Sequence, residues 1–263
     1  MTAVLSPIRF DAPLVNPSPG GLYAVTQWTD VPEGEPVRWL AEGVDVFPKN
    51  YGGDESFGVW TAPWNAVESD LTEDDVKTGV RPERLDPFVP ITLWAADEVS
   101  LFLTGSSRDE VRVRAAQNLR MNEQVAVELA FAERMLDDAG TPTSAADLID
   151  ALGILESAFA TTSTLGFIHV APKYLPRATA LQLVNRSGSA LKTPGGHTWV
   201  FGGGYVDGLG DKLVATSQPF GWRTEPMLKA ADAPDGSKFE AIAERSVLVV
   251  YEALVGAVEI GEE

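Results

Sequence analysis

Val37, Trp39 and Ala41 alternate with Arg38, Leu40 and Glu42, and Val44 and Val46 resume after Gly43. Period two marks a strand, and the break at Gly43 marks a bulge. Pro48 to Glu55 reads as a turn and Phe57 to Thr61 as a returning strand, so residues 37–61 predict a long hairpin. An acidic run from Glu68 to Asp75 follows, with room for one helical turn between Thr72 and Gly79. Val80 to Pro90 is proline-rich, and Ile91 to Phe102 predicts another strand. The period then changes. Ser107-Arg108-Asp109-Glu110 has the form of a capping box, and Val111, Ala115, Leu119, Val125, Leu129, Ala132 and Leu136 keep helical spacing until Gly140. At 1.5 Å per residue this helix, 107–139, would be on the order of 45 Å long, more than a compact domain of this size needs.

A second helix is expected from Ser144, with Leu148, Leu152, Leu155 and Phe159 on one face. Gly166 to Val170 is a buried-strand candidate, and a helix after Pro172 would turn Leu175, Ala178, Leu181 and Val184 inward before Asn185 to Gly188 closes it. From Leu191 the pattern is strand and turn: Thr198 to Phe201, the run Gly202-Gly203-Gly204, Leu213 to Thr216, Pro219 to Arg223, and Ser246 to Ile260. Val247-Leu248-Val249-Val250-Tyr251 is apolar throughout, the composition of a central strand. Residues 1–36 hold six prolines, which disfavour helix, yet also Ile8, Phe10, Leu14, Val15, Leu22, Tyr23 and Trp28. This is an extended arm that packs on something, either its own domain or a neighbouring subunit.

Composition narrows the function. The 263 residues carry a formal net charge of -18, which argues against holding DNA or RNA by phosphate neutralisation. The absence of cysteine excludes disulfides, thiolate zinc sites and cysteine nucleophiles. The N-terminus has neither a basic n-region nor an apolar h-region, and nowhere do 18 apolar residues run together, so a cytosolic product with no membrane partner is expected. The cationic residues Arg108, Arg112, Arg114 and Arg120 gather early in the long helix, where they form local ion pairs or meet the acidic surface of a neighbour.

Candidate chemistry is thin. The glycine run, with Asp207, Gly208 and Gly210, invites a phosphate-loop reading, but neither G-x-x-x-x-G-K-[ST] nor G-x-G-x-x-G is completed. A mobile loop between strands is expected instead. His169 and His197 lack companions at metal-ligand or triad spacing and read as structural, so no metal and no cofactor are expected. Seven tryptophans among many acids leave a carbohydrate-active enzyme as the rival class, with Asp54, Glu55 and Trp60 as its candidates.

The order of parts, together with Asn16-Pro17-Ser18-Pro19-Gly20-Gly21-Leu22-Tyr23, Trp60-Thr61-Ala62-Pro63-Trp64, Phe167-Ile168-His169-Val170, Leu191-Lys192-Thr193-Pro194-Gly195-Gly196-His197, Gly202 to Tyr205, Ala215-Thr216-Ser217 and Arg245 to Ile260, resembles the major capsid proteins of tailed phages, in particular those of actinobacterial phages, with the Hong Kong 97-type fold. The resemblance implies an α+β fold with an N-terminal arm (1–36), an extended hairpin loop (37–90), a peripheral domain (91–143) containing the long spine helix and joined by late strands near 240–256, and a mixed α/β axial domain (144–239) to which 257–263 could return. It implies a structural protein, not an enzyme, that self-assembles into pentamers and hexamers forming an icosahedral shell around double-stranded DNA. Portal, separate scaffolding and decoration proteins would be partners, and the virion, assembled in host cytoplasm, the location. Candidate inter-subunit contacts are Phe10, Tyr23, Lys49, Asn50, Tyr51, Trp60, Trp64, Arg108 and Arg112, with Pro48 to Glu55 as the hairpin tip, while Gly202, Gly203, Gly204, Asp207 and Gly208 would approach the ring axis. Lys49 or Lys77 matches the lysine of the cross-linking family members, but no partner asparagine and glutamate are identified, so no cross-link is expected. An encapsulin-like compartment shell is the nearest alternative.

Overall fold

The computed structural model describes residues 8–31, 42–100, 104–233 and 237–261. The chain contributes five helices in this range: α1 (Leu22–Val25), α2 (Gly105–Ala139), α3 (Leu148–Thr162), α4 (Tyr174–Ala180) and α5 (Tyr205–Gly208). Its strands are β1 (Gln27–Asp30), β2 (Ile91–Ser100), β3 (Thr143–Ala145), β4 (Phe167–Val170), β5 (Asn185–Ser187), β6 (Ala190–Lys192), β7 (Thr198–Phe201), β8 (Lys212–Thr216), β9 (Phe220–Arg223), β10 (Met227–Asp232), β11 (Lys238–Val250) and β12 (Leu254–Ile260).

Two sheets result. In the first, β11 is the axis: β2 pairs antiparallel along one side of it, from Lys238 opposite Ser100 to Val247 opposite Ile91. On its other side β10 pairs first and then β9, which is followed by β1 in parallel. The second sheet has the order β3-β12-β8-β4-β7-β6-β5. β9 and β10, which fall inside 144–239, therefore belong to the sheet of β2. The apolar segment read as continuous from Ser246 to Ile260 is two strands in different sheets, interrupted at Tyr251–Ala253.

α2 spans 35 residues, about 52 Å. It starts earlier than the sequence motif implies. Thr104 is the cap and Ser107 the third helical residue, each side chain bonding the other's backbone N–H (3.2 and 2.9 Å). Ser107-x-x-Glu110 thus lies inside the first turns. The stripe Val111, Ala115 and Leu119 buries against Phe239, Ala241 and Ala243 of β11, alternate residues on one face of that strand. Farther along, Val127, Phe131, Ala132 and Met135 pack with Val247–Tyr251 and with Val200, Tyr205 and Val214 of the second sheet's side, forming the core between the sheets. α3 and α4 cover the second sheet through Leu148, Leu152, Leu155, Phe159, Tyr174 and Ala178.

Other boundaries shift for identifiable reasons. Asp147, not Ser144, caps α3, accepting from Ile149 and Asp150 N–H, because Thr143–Ala145 is taken up as β3 beside β12. α4 stops at Ala180, which leaves Leu181 exposed, and Asn185–Ser187 opens a β5–β6 hairpin whose turn uses Gly188 at φ 61°. Three short segments join these parts: 140–142 runs from α2 to β3, and 217–219 and 251–253 pass directly from one sheet to the other. The last two are tied together, since Ser217 Oγ accepts N–H bonds from Glu252 and Ala253 while Ser217 N–H donates to Ala253 O.

Candidate functional site

The spine helix α2 carries three attached pieces, beginning with the arm. Residues 8–21 run along it without regular structure. Arg9 pairs with Glu110 at 3.0 Å, Gln117 Nε2 donates to Val15 O at 2.7 Å, Arg120 bonds the Asn16 side chain, and Gln124 Nε2 donates to Gly20 O at 2.7 Å. The fixings are polar, and the arm's large side chains point away: Ile8 is 95% and Phe10 83% exposed, with Leu14 and Val15 more than half exposed. The arm therefore lies on its own spine helix, one of the two alternatives left open by the sequence, and presents an apolar strip outward. Tyr23 ends this path inside the chain, with its ring edge-on to Trp28 and its hydroxyl donating to Glu123 at 2.7 Å; burial and the Glu123 carboxylate push the phenol far up.

Among the described residues of the loop, 42–90, no strands pair into a hairpin. Val44 pairs with Phe88, not with Phe57–Thr61, in an isolated antiparallel bridge, and the rest of the segment holds only three short 3-10 turns. The first strand of the expected hairpin starts at Val37, and its part up to residue 41 lies outside the described residues. Arg134 of α2 grips the loop's return, donating to Asp86 O and Pro87 O and lying 4.0 Å over the Phe88 ring. Lys49 and Asn50 are at the base of the loop and not at its tip: their N–H groups and the Asn50 side chain all donate to the Glu252 carboxylate, and Tyr51 OH bonds Thr164. Burial alone would raise the Glu252 carboxyl, but these donors hold it below its ordinary value. The projecting part is 57–78. Among the described residues its hydrogen bonds stay within the loop, Ser56 closes it against Val80, Lys77 sits over Trp60 at 4.3 Å, and Trp64 is 94% exposed.

The third piece is the glycine run, which is docked, not mobile. Gly202 and Gly204 are buried against α2, and a Cβ at Gly204 would lie 2.2 Å from Val125 O. A Cβ at Gly208 would lie 2.6 Å from the Ala132 Cβ, whereas Asp207 is exposed. Arg108 and Arg112 also have partners at home: Arg108 pairs with Asp232 of β10 at 2.7 Å, Arg112 with Asp109, and both lie over Phe239.

No protein-family model matches this chain, and a search of curated proteins finds no match. Solved structures do match. The capsid of an empty GTA particle is 12% identical, with 98% of this chain and 96% of that one covered and a TM-score of 0.52. A subunit of the bacteriophage PhiM1 mature capsid is 8% identical over 100% and 93%, with TM-score 0.52, and the SrpI encapsulin of Synechococcus elongatus is 10% identical over 97% and 92%, with TM-score 0.54. The chain has the Hong Kong 97-type fold.

The two histidines lie in the packed interior. His169 on β4 is fully buried, Nδ1 sharing a hydrogen bond with Tyr205 OH (2.9 Å) and Nε2 with Thr216 Oγ1 (2.8 Å). Burial lowers its pKa to about 3, and burial also lowers that of His197, which stacks on Phe159. A folded-state pKa below the unfolded value of about 6.5 means that the unfolded chain protonates first on acidification. Stability is therefore full above pH 6.5 and falls as pH drops from there towards 3. The carboxylates held low, such as Asp30, Asp211 and Glu252, act only near and below pH 4. Unfolding free energies from urea titrations between pH 7 and 5 should decline, with His169 contributing a slope of up to about 1.4 kcal/mol per pH unit, and His169→Gln should flatten it. An unchanged slope in that variant would assign the titration to another group.

Asp54 and Glu55 are exposed on a 3-10 turn at the loop base, and Asp75 is used to close another turn, accepting from Thr72 N–H at 2.8 Å and Thr72 OH at 2.9 Å, contacts that lower its pKa. Among the described residues no cluster of three or more His, Asp or Glu could hold a metal ion, and no helix is long and apolar enough to cross a membrane. Sequence reasoning missed Glu123 and Glu128, the two acids buried in α2, and Glu252 at the loop base. The first two stand at helical spacing with apolar neighbours, a signal that becomes readable only once their partners from the arm are known.

Proposed function

We propose that this chain is the major capsid protein of a tailed phage, a subunit without catalytic residues that assembles into pentamers and hexamers of an icosahedral shell around double-stranded DNA. The observation that carries this reading is where the exposed apolar side chains fall. They concentrate on the parts lying outside the packed body, Ile8, Phe10, Leu14 and Val15 on the arm and Phe57, Val59, Trp64 and Val76 on the loop. A chain that worked alone would gain nothing by exposing them. On this reading Phe10, Trp60 and Trp64 touch neighbours. Tyr23, Lys49, Asn50, Tyr51, Arg108 and Arg112 instead hold the arm, the loop base and β10 in place for those contacts. α2 with the first sheet corresponds to the peripheral domain and the second sheet with α3 and α4 to the axial domain, and Gly202, Gly203, Gly204, Asp207 and Gly208 join the two. Many modest contacts act together through avidity, and the net negative charge keeps the subunit from adhering to packaged DNA. Portal, scaffolding and decoration proteins would complete a virion assembled in host cytoplasm.

An encapsulin-like compartment is the second reading, favoured by the likeness to the Synechococcus encapsulin at TM-score 0.54. Light scattering after size exclusion, with negative-stain microscopy of the leading peak, should show rings of five or six or closed shells. A monomer that persists at high concentration and salt would overturn both readings, and nuclease-protected DNA in particles from infected cells would favour the phage. Trp64→Ala should raise the concentration needed for assembly by tenfold or more while changing monomer stability by less than about 0.5 kcal/mol, as measured by urea unfolding.

A further inference from the structure

The glycine run that invites an anion-binding reading does hold an anion, and that anion belongs to the chain itself. Glu128 lies fully buried on the spine helix. Its Oε1 accepts the Leu22 N–H at 2.9 Å and a Gln124 Nε2–H at 3.0 Å, and its Oε2 accepts the Gly204 N–H at 3.0 Å. One oxygen thus serves the arm and the other the glycine run, while Gln124 also donates to Gly20 O. There is no room for a side chain around this group. A Cβ at Gly21 would lie 2.1 Å from Glu128 Oε1, one at Gly202 2.7 Å from its Cδ, and one at Gly204 2.7 Å from its Cβ.

We propose that Glu128 is the internal ligand of a carboxylate seat built jointly by the arm and the glycine run, and that through it these two segments, remote in sequence, open and close together. A buried carboxylate is tolerated only while donors satisfy it. Once one segment lifts away, the remaining donors face a rehydrating group and hold it less well, so the second opening becomes easier. The coupling is a property of the single chain. Its consequence for a shell, that a subunit whose arm moves also frees its glycine run, rests on the assembly reading above.

Hydrogen exchange followed by mass spectrometry on the full chain tests the coupling without reference to assembly. In the unaltered protein, segments 18–26 and 202–210 should exchange through openings of equal free energy and equal denaturant dependence. Unequal values would overturn the proposal, and this measurement decides even if a variant fails to fold. Glu128→Gln sharpens the test, because the amide oxygen can remain on Leu22 and Gln124 while its NH2 faces the Gly204 N–H, a donor against a donor. Coupling predicts that both segments exchange at least tenfold faster, whereas acceleration confined to 202–210, or none, would refute it.

Discussion

Arg245→Met should lower the unfolding free energy by about 3–5 kcal/mol, which corresponds to a fall in Tm of roughly 6–20 °C for a chain of this size. Arg245 stands on β11 with its Nη1 3.1 and 3.2 Å from the two oxygens of Glu123, and its Nε donates to Thr224 O at 2.6 Å. The pair is largely removed from water, with the arginine and glutamate side chains 13% and 7% exposed. Without the guanidinium, Glu123 would keep only the Tyr23 hydroxyl as a described partner, an uncompensated charge in a poorly solvated site. The physics predicts an asymmetry that a simple contact count would not. Glu123→Leu combined with Arg245→Met should recover most of the loss, because no charge is then orphaned. Urea unfolding of the two single variants and the double variant forms the cycle. Costs below about 1 kcal/mol for the arginine variant would mean that water reaches the carboxylate after all.

Gly204→Ala should cost about 3 kcal/mol or more, because overpacking by one methyl against rigid backbone and loss of a charge-assisted hydrogen bond act together. The added Cβ would meet Val125 O at 2.2 Å and Leu129 N at 2.6 Å, atoms of the spine helix backbone that cannot rotate away. Gly203→Ala is the internal control. There the nearest atom is the Val125 Cγ2 at 3.2 Å, a side chain with freedom to adjust, so the change should stay within about 1 kcal/mol. A free loop would tolerate both substitutions alike, and equal, small effects on thermal unfolding would restore the mobile-loop expectation.

That contrast shows where the sequence was legible. A period of 3.6 from Val111 to Leu136 located the spine helix because one apolar stripe meets one strand face over its first half. Its start was misplaced by three residues because Thr104-x-x-Ser107 and Ser107-x-x-Glu110 are overlapping cap candidates, and only the backbone geometry chooses between them. Phe57–Thr61 has strand composition, but a strand also needs a partner, and none lies beside it among the described residues. β10 was invisible for the opposite reason: all six of its residues are exposed, so no alternation marks it. In the first half of β11, Ile242 on the outer face broke the alternation of Phe239, Ala241 and Ala243. The glycine run was noticed, but its use was not, since the group that explains it is a single glutamate far away in the chain.

The short links between the sheets have a mechanical meaning. Two of them, at 217–219 and 251–253, are stitched to each other by Ser217. Beside them Val127, Phe131, Ala132 and Met135 of α2 fill one core with residues of both sheets. A hinge at the links would have to open that core, and close-packed interiors resist such strain. The two sheets therefore act as one stiff plate. If the same subunit must fit both flat and strongly bent parts of one closed surface, the difference in curvature falls to the parts outside the plate, the arm and the projecting loop.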